Sequence, residues 1–180
     1  RQRMKRDRSA LPASGSTLAP TGGTAYLKPY AIKEIDGVKI GLIGITIGAK
    51  TINSSRPLAT TVFNDEVTSA QKTIDTLKAQ GIRHFVVITH QGYEADKAMA
   101  AKLTDVDVII GGDSHTLLGN FSAIGLTSSG DYPTVVKNKS GETVCIGQAW
   151  EYAKATGLLN VQFNAAGAVN SCVGRATLLI

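Results

Sequence analysis

Residues 64–92 read NDEVTSAQKTIDTLKAQGIRHFVVITHQG, and this stretch decides the fold. Asn64 is placed to cap a helix, with Asp65 and Glu66 in the first turn, where negative charge meets the positive end of the helix dipole. Val67, Ala70, Ile74 and Leu77 recur at intervals of three and four residues, which lays one apolar stripe along a helix, and Gly81 offers a left-handed terminus. Phe85 to Ile88 then follows as a buried strand. Upstream, Tyr30 to Ile35 and Val38 to Ile45 flank Asp36-Gly37, a strong hairpin signal, and the second run is apolar enough to be covered on both faces. Downstream, the pattern predicts a helix from about Tyr93 to Leu103 and a strand from Val106 to Ile110.

The order β-α-β-α-β implies parallel strands joined by right-handed crossovers. Thr89-His90 and Gly111 to His115 then emerge on one edge of the sheet, and His90 and His115 become neighbours in space. From Tyr132 onward the pattern changes to short strands at Thr134 to Lys137, Thr143 to Ala149, Leu158 to Phe163 and Ala168 to Val173. Ser140-Gly141 and Ala165-Ala166-Gly167 serve as turns, so the C-terminal third reads as antiparallel sheet. The fold class is α/β.

A chain of 180 residues with 43% hydrophobic content can bury one sizeable core. Residues 1–25 form a basic, then Ser/Gly/Pro-rich lead-in expected to be disordered, and 26–180 one globular unit. The net charge of +5 is local: residues 1–8 supply +4 of it, so it argues for a charged tail and against a nucleic-acid partner. No apolar run approaches the ~20 residues needed to span a bilayer, and the basic start lacks the apolar core of a secretory signal. Cys145 and Cys172 could pair if their strands are neighbours, although buried free thiols suit the pattern at least as well.

The chemistry gathers where the strands end, because ligands in open α/β sheets sit outside the carboxyl ends of the strands. His90 ends an apolar run and is followed by Gly92, whose missing side chain would allow close approach. His115 follows Gly111-Gly112 and Asp113, an oxygen donor of the kind that joins imidazole around Zn, Mn or Fe. The alternative for that cluster is an ordinary polar turn. His84 is better read as a partly exposed strand residue than as a ligand. Gly112-Asp113-Ser114 also suits a serine nucleophile, but that chemistry needs a histidine base, and no histidine follows His115. Neither a G-x-G-x-x-G nor a P-loop pattern is present.

Several separated motifs, in order, resemble one family. They are Leu27-Lys28-Pro29-Tyr30, Asp36 to Gly41, Thr89 to Tyr93, Gly111 to Gly119, Tyr132 to Lys137 and Gln148 to Tyr152. Together they are similar to the bacterial 5′-nucleotidases of the calcineurin-like metallophosphoesterase superfamily, over about residues 26 to 180. The resemblance implies part of a four-layer α/β/β/α sandwich, two divalent metal ions such as Zn or Mn, and hydrolysis of a nucleotide or other phosphate monoester. It also implies a periplasmic or extracellular location. By the same resemblance His90 matches a metal-ligating histidine and His115 the second ligand of a Gly-His-x-His type motif. Asp113 falls where many members carry histidine, and Gly112 and Ser114 would shape the loop. The family's earlier Asp-x-His, Gly-Asp and Asn-His motifs have no counterpart in residues 1 to 63. The expectation is therefore the C-terminal half of the catalytic domain, weak or inactive alone, with a non-catalytic, self-associating interaction module as the alternative.

Overall fold

The computed structural model describes residues 27–179, so the lead-in expected over 1–25 lies outside the described residues. Strand β1 (Ala31–Ile35) turns at Asp36-Gly37 into β2 (Val38–Thr46), and the two pair antiparallel as the Asp-Gly signal predicts. Helix α1 (Gly48–Ser55) follows, then α2 (Glu66–Lys78), β3 (His84–His90), α3 (Tyr93–Ala100) and β4 (Val108–Ile110). The remainder comprises β5 (Thr134–Lys137), β6 (Thr143–Gly147), β7 (Ala155–Phe163) and β8 (Val169–Leu178). Six strands form one sheet in the order β1-β2-β3-β4-β6-β5, and β7-β8 stand apart as a two-stranded sheet. Mixed α/β architecture with a parallel centre and antiparallel flanks is thus what the chain adopts.

The parallel centre arises as the crossover argument requires. Strands β2, β3 and β4 run parallel, with Thr46 opposite His90 and Ile88 opposite Ile110. One face of the sheet packs Ile43, Phe85, Val87 and Ile109 with Ala70, Ile74 and Leu77 of the α2 stripe and Met99 of α3, all essentially excluded from solvent. The opposite face carries Val86, Val108 and Cys145 against Leu159, Val161, Val169 and Cys172 of the β7-β8 hairpin. Cys145 and Cys172 form a disulfide across this second interface, their Cα atoms 6.2 Å apart, so the free-thiol alternative is corrected. His84 packs its ring at a tilt against Phe163, 4.2 Å between centroids, and burial lowers its pKa, so it has a ring partner that the sequence did not suggest.

Four expectations need correction. The cap of α2 is Asp65, whose carboxylate accepts the Thr68 N–H at 2.7 Å, one residue beyond Asn64. Helix α3 stops at Ala100 and β4 starts at Val108, shorter than the expected spans, because Ala101 to Leu103 close the helix with turn hydrogen bonds and Asp105 takes positive φ. The C-terminal third is not wholly antiparallel: β6 runs parallel to β4 in the central sheet, and β5 pairs antiparallel with β6 at its edge. Helix α1 was not expected at all, since GAKTINSS is only eight residues long and holds a single large apolar residue, Ile52.

At the amino end of the sheet, Asp107 is only 5% exposed and its Oδ2 accepts the Phe85 N–H at 2.8 Å. Burial pushes its carboxyl up to about 7, with Glu142 and Asp105 adding repulsion and the Phe85 hydrogen bond opposing. The unfolded chain loses this proton near the ordinary carboxylate value, so between about pH 4 and about pH 7 the folded state binds more protons. Stability from this group therefore falls as pH rises through that window. Asp107→Asn keeps an acceptor for Phe85, and its urea midpoint should change less between about pH 5 and about pH 8 than that of the parent.

Candidate functional site

Four parallel strands end on the same edge, and each delivers polar side chains there. The end of β2 leads into α1 and Lys50, β3 ends at His90, β4 opens into Gly111 to Thr116, and β6 leads to Gln148 and Glu151. The site is a product of topology, since these segments are separated by up to about a hundred residues and meet only because the strands run parallel.

Asp113 sits at its centre, with its side chain 14% exposed. Its Oδ1 lies 3.4 Å from Nε2 of His90 and is also the partner of the Lys50 ammonium. Asp113 has φ of 77° and His115 φ of 51°, a left-handed bend that Asp and His tolerate better than most residues. The bend sends the two side chains of the Asp113-Ser114-His115 run to different partners. His115 Nδ1 lies 3.2 Å from Oε2 of Glu151, and Glu151 is in turn paired with Lys154 at 2.6 Å. The Lys154 hydrogen bond holds the Glu151 carboxyl below its ordinary range, with a smaller contribution from His115. Each histidine of the expected pair thus faces its own carboxylate.

A buried layer holds this surface in place. Asp96 of α3 is completely buried, and its Oδ1 accepts from Thr89 Oγ1 at 2.7 Å and from Gln91 Nε2 at 3.0 Å. Burial raises its pKa against those two hydrogen bonds, and its Oδ2 has no hydrogen-bond partner among the described residues. Gln148, 2% exposed, accepts from Thr116 N at 2.5 Å and Ser114 Oγ at 3.2 Å and donates to Gly112 O at 3.4 Å, which ties the β4 loop to β6. Ser114 Oγ accepts the Tyr93 N–H at 3.0 Å, capping α3 from another segment because its own N-cap, Gly92, offers no side chain. Its other partners are Thr116 and Gln148, none of them an imidazole, so it serves as scaffold.

The close approach attributed to Gly92 belongs to its neighbours in space. A Cβ on Gly92 would meet nothing nearer than Ser114 at 3.5 Å, and glycine is used there for its φ of 95°. A Cβ on Gly112 would stand 3.2 Å from the His90 ring, and one on Gly111 only 2.1 Å from Asp96 Oδ2. Lys50, Gln148 and Glu151 escaped sequence reasoning as members of the site. The unexpected α1 carries the first, and the parallel pairing of β6 carries the other two.

Imidazole and carboxylate are a donor chemistry suited to Zn or Mn. Among the described residues no group of three His, Cys, Asp or Glu side chains converges on one point. The residues therefore fit part of a metal shell, a His90-Asp113 pair and a His115-Glu151 pair, and do not close one. A cleft of about 490 Å³ adjoins them, lined by Gln91, Gly92, Tyr93, Asp113, Ser114 and Thr116 among others. Among the described residues no helix is long and apolar enough to cross a membrane.

No protein-family model matches the chain. In sequence it is 37% identical over 174 residues to a probable 5′-nucleotidase of Treponema pallidum, a match that covers 96% of this chain and 28% of that protein. It is 39% identical over 142 residues to the NAD 5′-nucleotidase of Haemophilus influenzae, covering 78% of this chain and 24% of that one. Among solved structures, a 5′-nucleotidase precursor from Thermus thermophilus superposes with a TM-score of 0.86 at 40% identity, over 93% of this chain and 33% of that chain. A calcineurin-like phosphoesterase from Bacillus subtilis, 21% identical, shares the fold with a TM-score of 0.68. The chain spans about a quarter to a third of the length of the named 5′-nucleotidases.

Proposed function

We propose that this chain, which belongs to the 5′-nucleotidase family and matches one stretch of it, is the part of a metal-dependent phosphomonoesterase that supplies His90, Asp113 and His115 to the metal-binding edge. The observation that carries this reading is the convergence of four parallel strand ends on a His-Asp pair, a second His and a conjoined cleft. The substrate class is a nucleotide 5′-phosphate or a related phosphate monoester, in keeping with the names of the relatives. When bound, a divalent cation supplies Lewis-acid polarisation of a phosphate oxygen. The chain's own part is to orient donors: Gly111 and Asp96 fix the course of the backbone, and Gln148 and Ser114 hold the loop that presents Asp113 and His115.

Two half-filled donor pairs do not make a two-metal centre, so turnover by this chain alone is expected to be weak or absent until further donors are supplied. The disulfide supports an exported location, because such bonds persist in oxidising compartments. Calorimetric titration with Mn²⁺ or Zn²⁺ tests the metal reading, alongside chelator-sensitive hydrolysis of AMP. His90→Ala should lower cation affinity by about tenfold or more. Lys50→Met should raise it by about fivefold, since the ammonium competes for Asp113 on a side chain that is half exposed. Unchanged affinity in both variants would remove His90 and Asp113 from the metal site.

A further inference from the structure

We infer that Glu151 is a positioning residue for His115: it accepts the Nδ1–H hydrogen bond, holds the imidazole in that tautomer and leaves the Nε2 lone pair as the cation-facing donor. The role toward a cation rests on the proposed metal function. The chemistry of the contact fixes the direction. An ionised carboxylate has no proton to give, so in a hydrogen bond across the 3.2 Å between Oε2 and Nδ1 the imidazole nitrogen is the donor. Lys154, 2.6 Å from the other oxygen of Glu151, keeps that carboxylate occupied and aligned from the far side. Metal-bound histidines characteristically donate their second nitrogen to such a carboxylate, which sets ring orientation and basicity.

Backbone, and not side-chain reach alone, brings Glu151 to His115. Trp150, Tyr152 and Ala153 all have positive φ, at 55°, 47° and 57°. Such a run in residues other than glycine persists only where surrounding structure over-determines it. The anchors are visible: Trp150 N–H donates to Thr116 O at 3.2 Å, and Leu117 forms a bridge with Ala149. These bonds join the bend to the residues immediately after His115. Tyr152 then meets the imidazole edge-on at 5.3 Å, and Lys154 lies 4.9 Å from the Trp150 ring centre. The imidazole is gripped by a carboxylate on Nδ1 and a phenol ring at its edge, and 48% of its side chain remains open to an incoming ligand.

Nitrogen-15 spectra of the imidazoles in the full chain, recorded above the histidine titration range, test this directly. The parent should show His115 as the Nδ1–H tautomer. Glu151→Ala should shift it towards the Nε2–H form that free imidazole prefers, and Glu151→Gln, which retains an acceptor, should restore it. Titration with Zn²⁺ should move the His115 Nε2 signal in the parent and require about tenfold more metal in Glu151→Ala. An Nε2–H tautomer in the parent, or no difference between the parent and Glu151→Ala, overturns the assignment. A tautomer switch with no Zn²⁺ response supports the positioning by Glu151 and overturns the metal reading of His115 instead.

Discussion

Gly111→Ala should destabilise the protein by about 3 kcal/mol or more and disorder the edge that carries Asp113. The added methyl would stand 2.1 Å from Asp96 Oδ2 and 3.2 Å from Gln148 Nε2. A flexible surface side chain would swing aside, but Asp96 is completely buried and its other oxygen is held by Thr89 and Gln91. Moving that carboxylate forfeits both hydrogen bonds in a site where water cannot replace them. Moving the backbone instead shifts Gly112, which lies against His90 so closely that a Cβ there would stand 3.2 Å from the ring. Either relaxation reaches the proposed donors. Urea unfolding of the two single variants and of Asp96→Ala/Gly111→Ala separates the causes. If Asp96 is the obstacle, Gly111→Ala costs much less in the Asp96→Ala background; additive penalties would refute the steric account.

That sequence reasoning placed His90 and Asp113 at the strand ends but missed the layer beneath them has a physical origin. A histidine at the end of an apolar run and an aspartate after paired glycines announce themselves, because the strand end fixes where they point. Helix α1 gives no such signal: its eight residues, Gly48 to Ser55, include two serines, a threonine and an asparagine and only one large apolar residue, Ile52, so Lys50 could not be placed at the edge. Strand β6 did carry a usable sign. Val144, Cys145 and Ile146 are all completely buried, a continuous run typical of a parallel strand covered on both faces, and reading it that way would have sent Gln148 and Glu151 to the site. The hairpin β7-β8 was legible as antiparallel strands, but its docking face was not. Among the described residues only Val108, Cys145 and Val169 are buried there, two from the central sheet and one from the hairpin, so neither sheet shows the pattern by itself. The separation of His115 from Asp113 depends on two positive φ angles, which residue types permit but do not announce.

The thin second interface makes the disulfide the other large lever. Replacing Cys172 with Ser should lower stability by about 3.5 kcal/mol, the chain-entropy value for a cross-link closing a loop of this length. The separation between Cys145 and Cys172 is 27 residues. Among the described residues no backbone ladder joins β7-β8 to the six-stranded sheet. Among the contacts that hold the hairpin are the small apolar cluster, the cross-link, the His84-Phe163 ring contact and the packing of Tyr132 against Gly157 and Gly174. Loss of the cross-link therefore frees the hairpin before it disturbs the α2-covered core. The consequence reaches the site, because the loop closed by the bond contains Gln148, Glu151 and Lys154. In the reduced or serine form, hydrogen exchange should rise first across residues 148–178 while β2, β3 and α2 stay protected. Reductant should lower the melting temperature of the parent and leave Cys172→Ser unchanged. Equal melting of the oxidised and reduced parent would mean that the apolar cluster alone secures the hairpin, and the position of Glu151 would then owe nothing to the covalent bond.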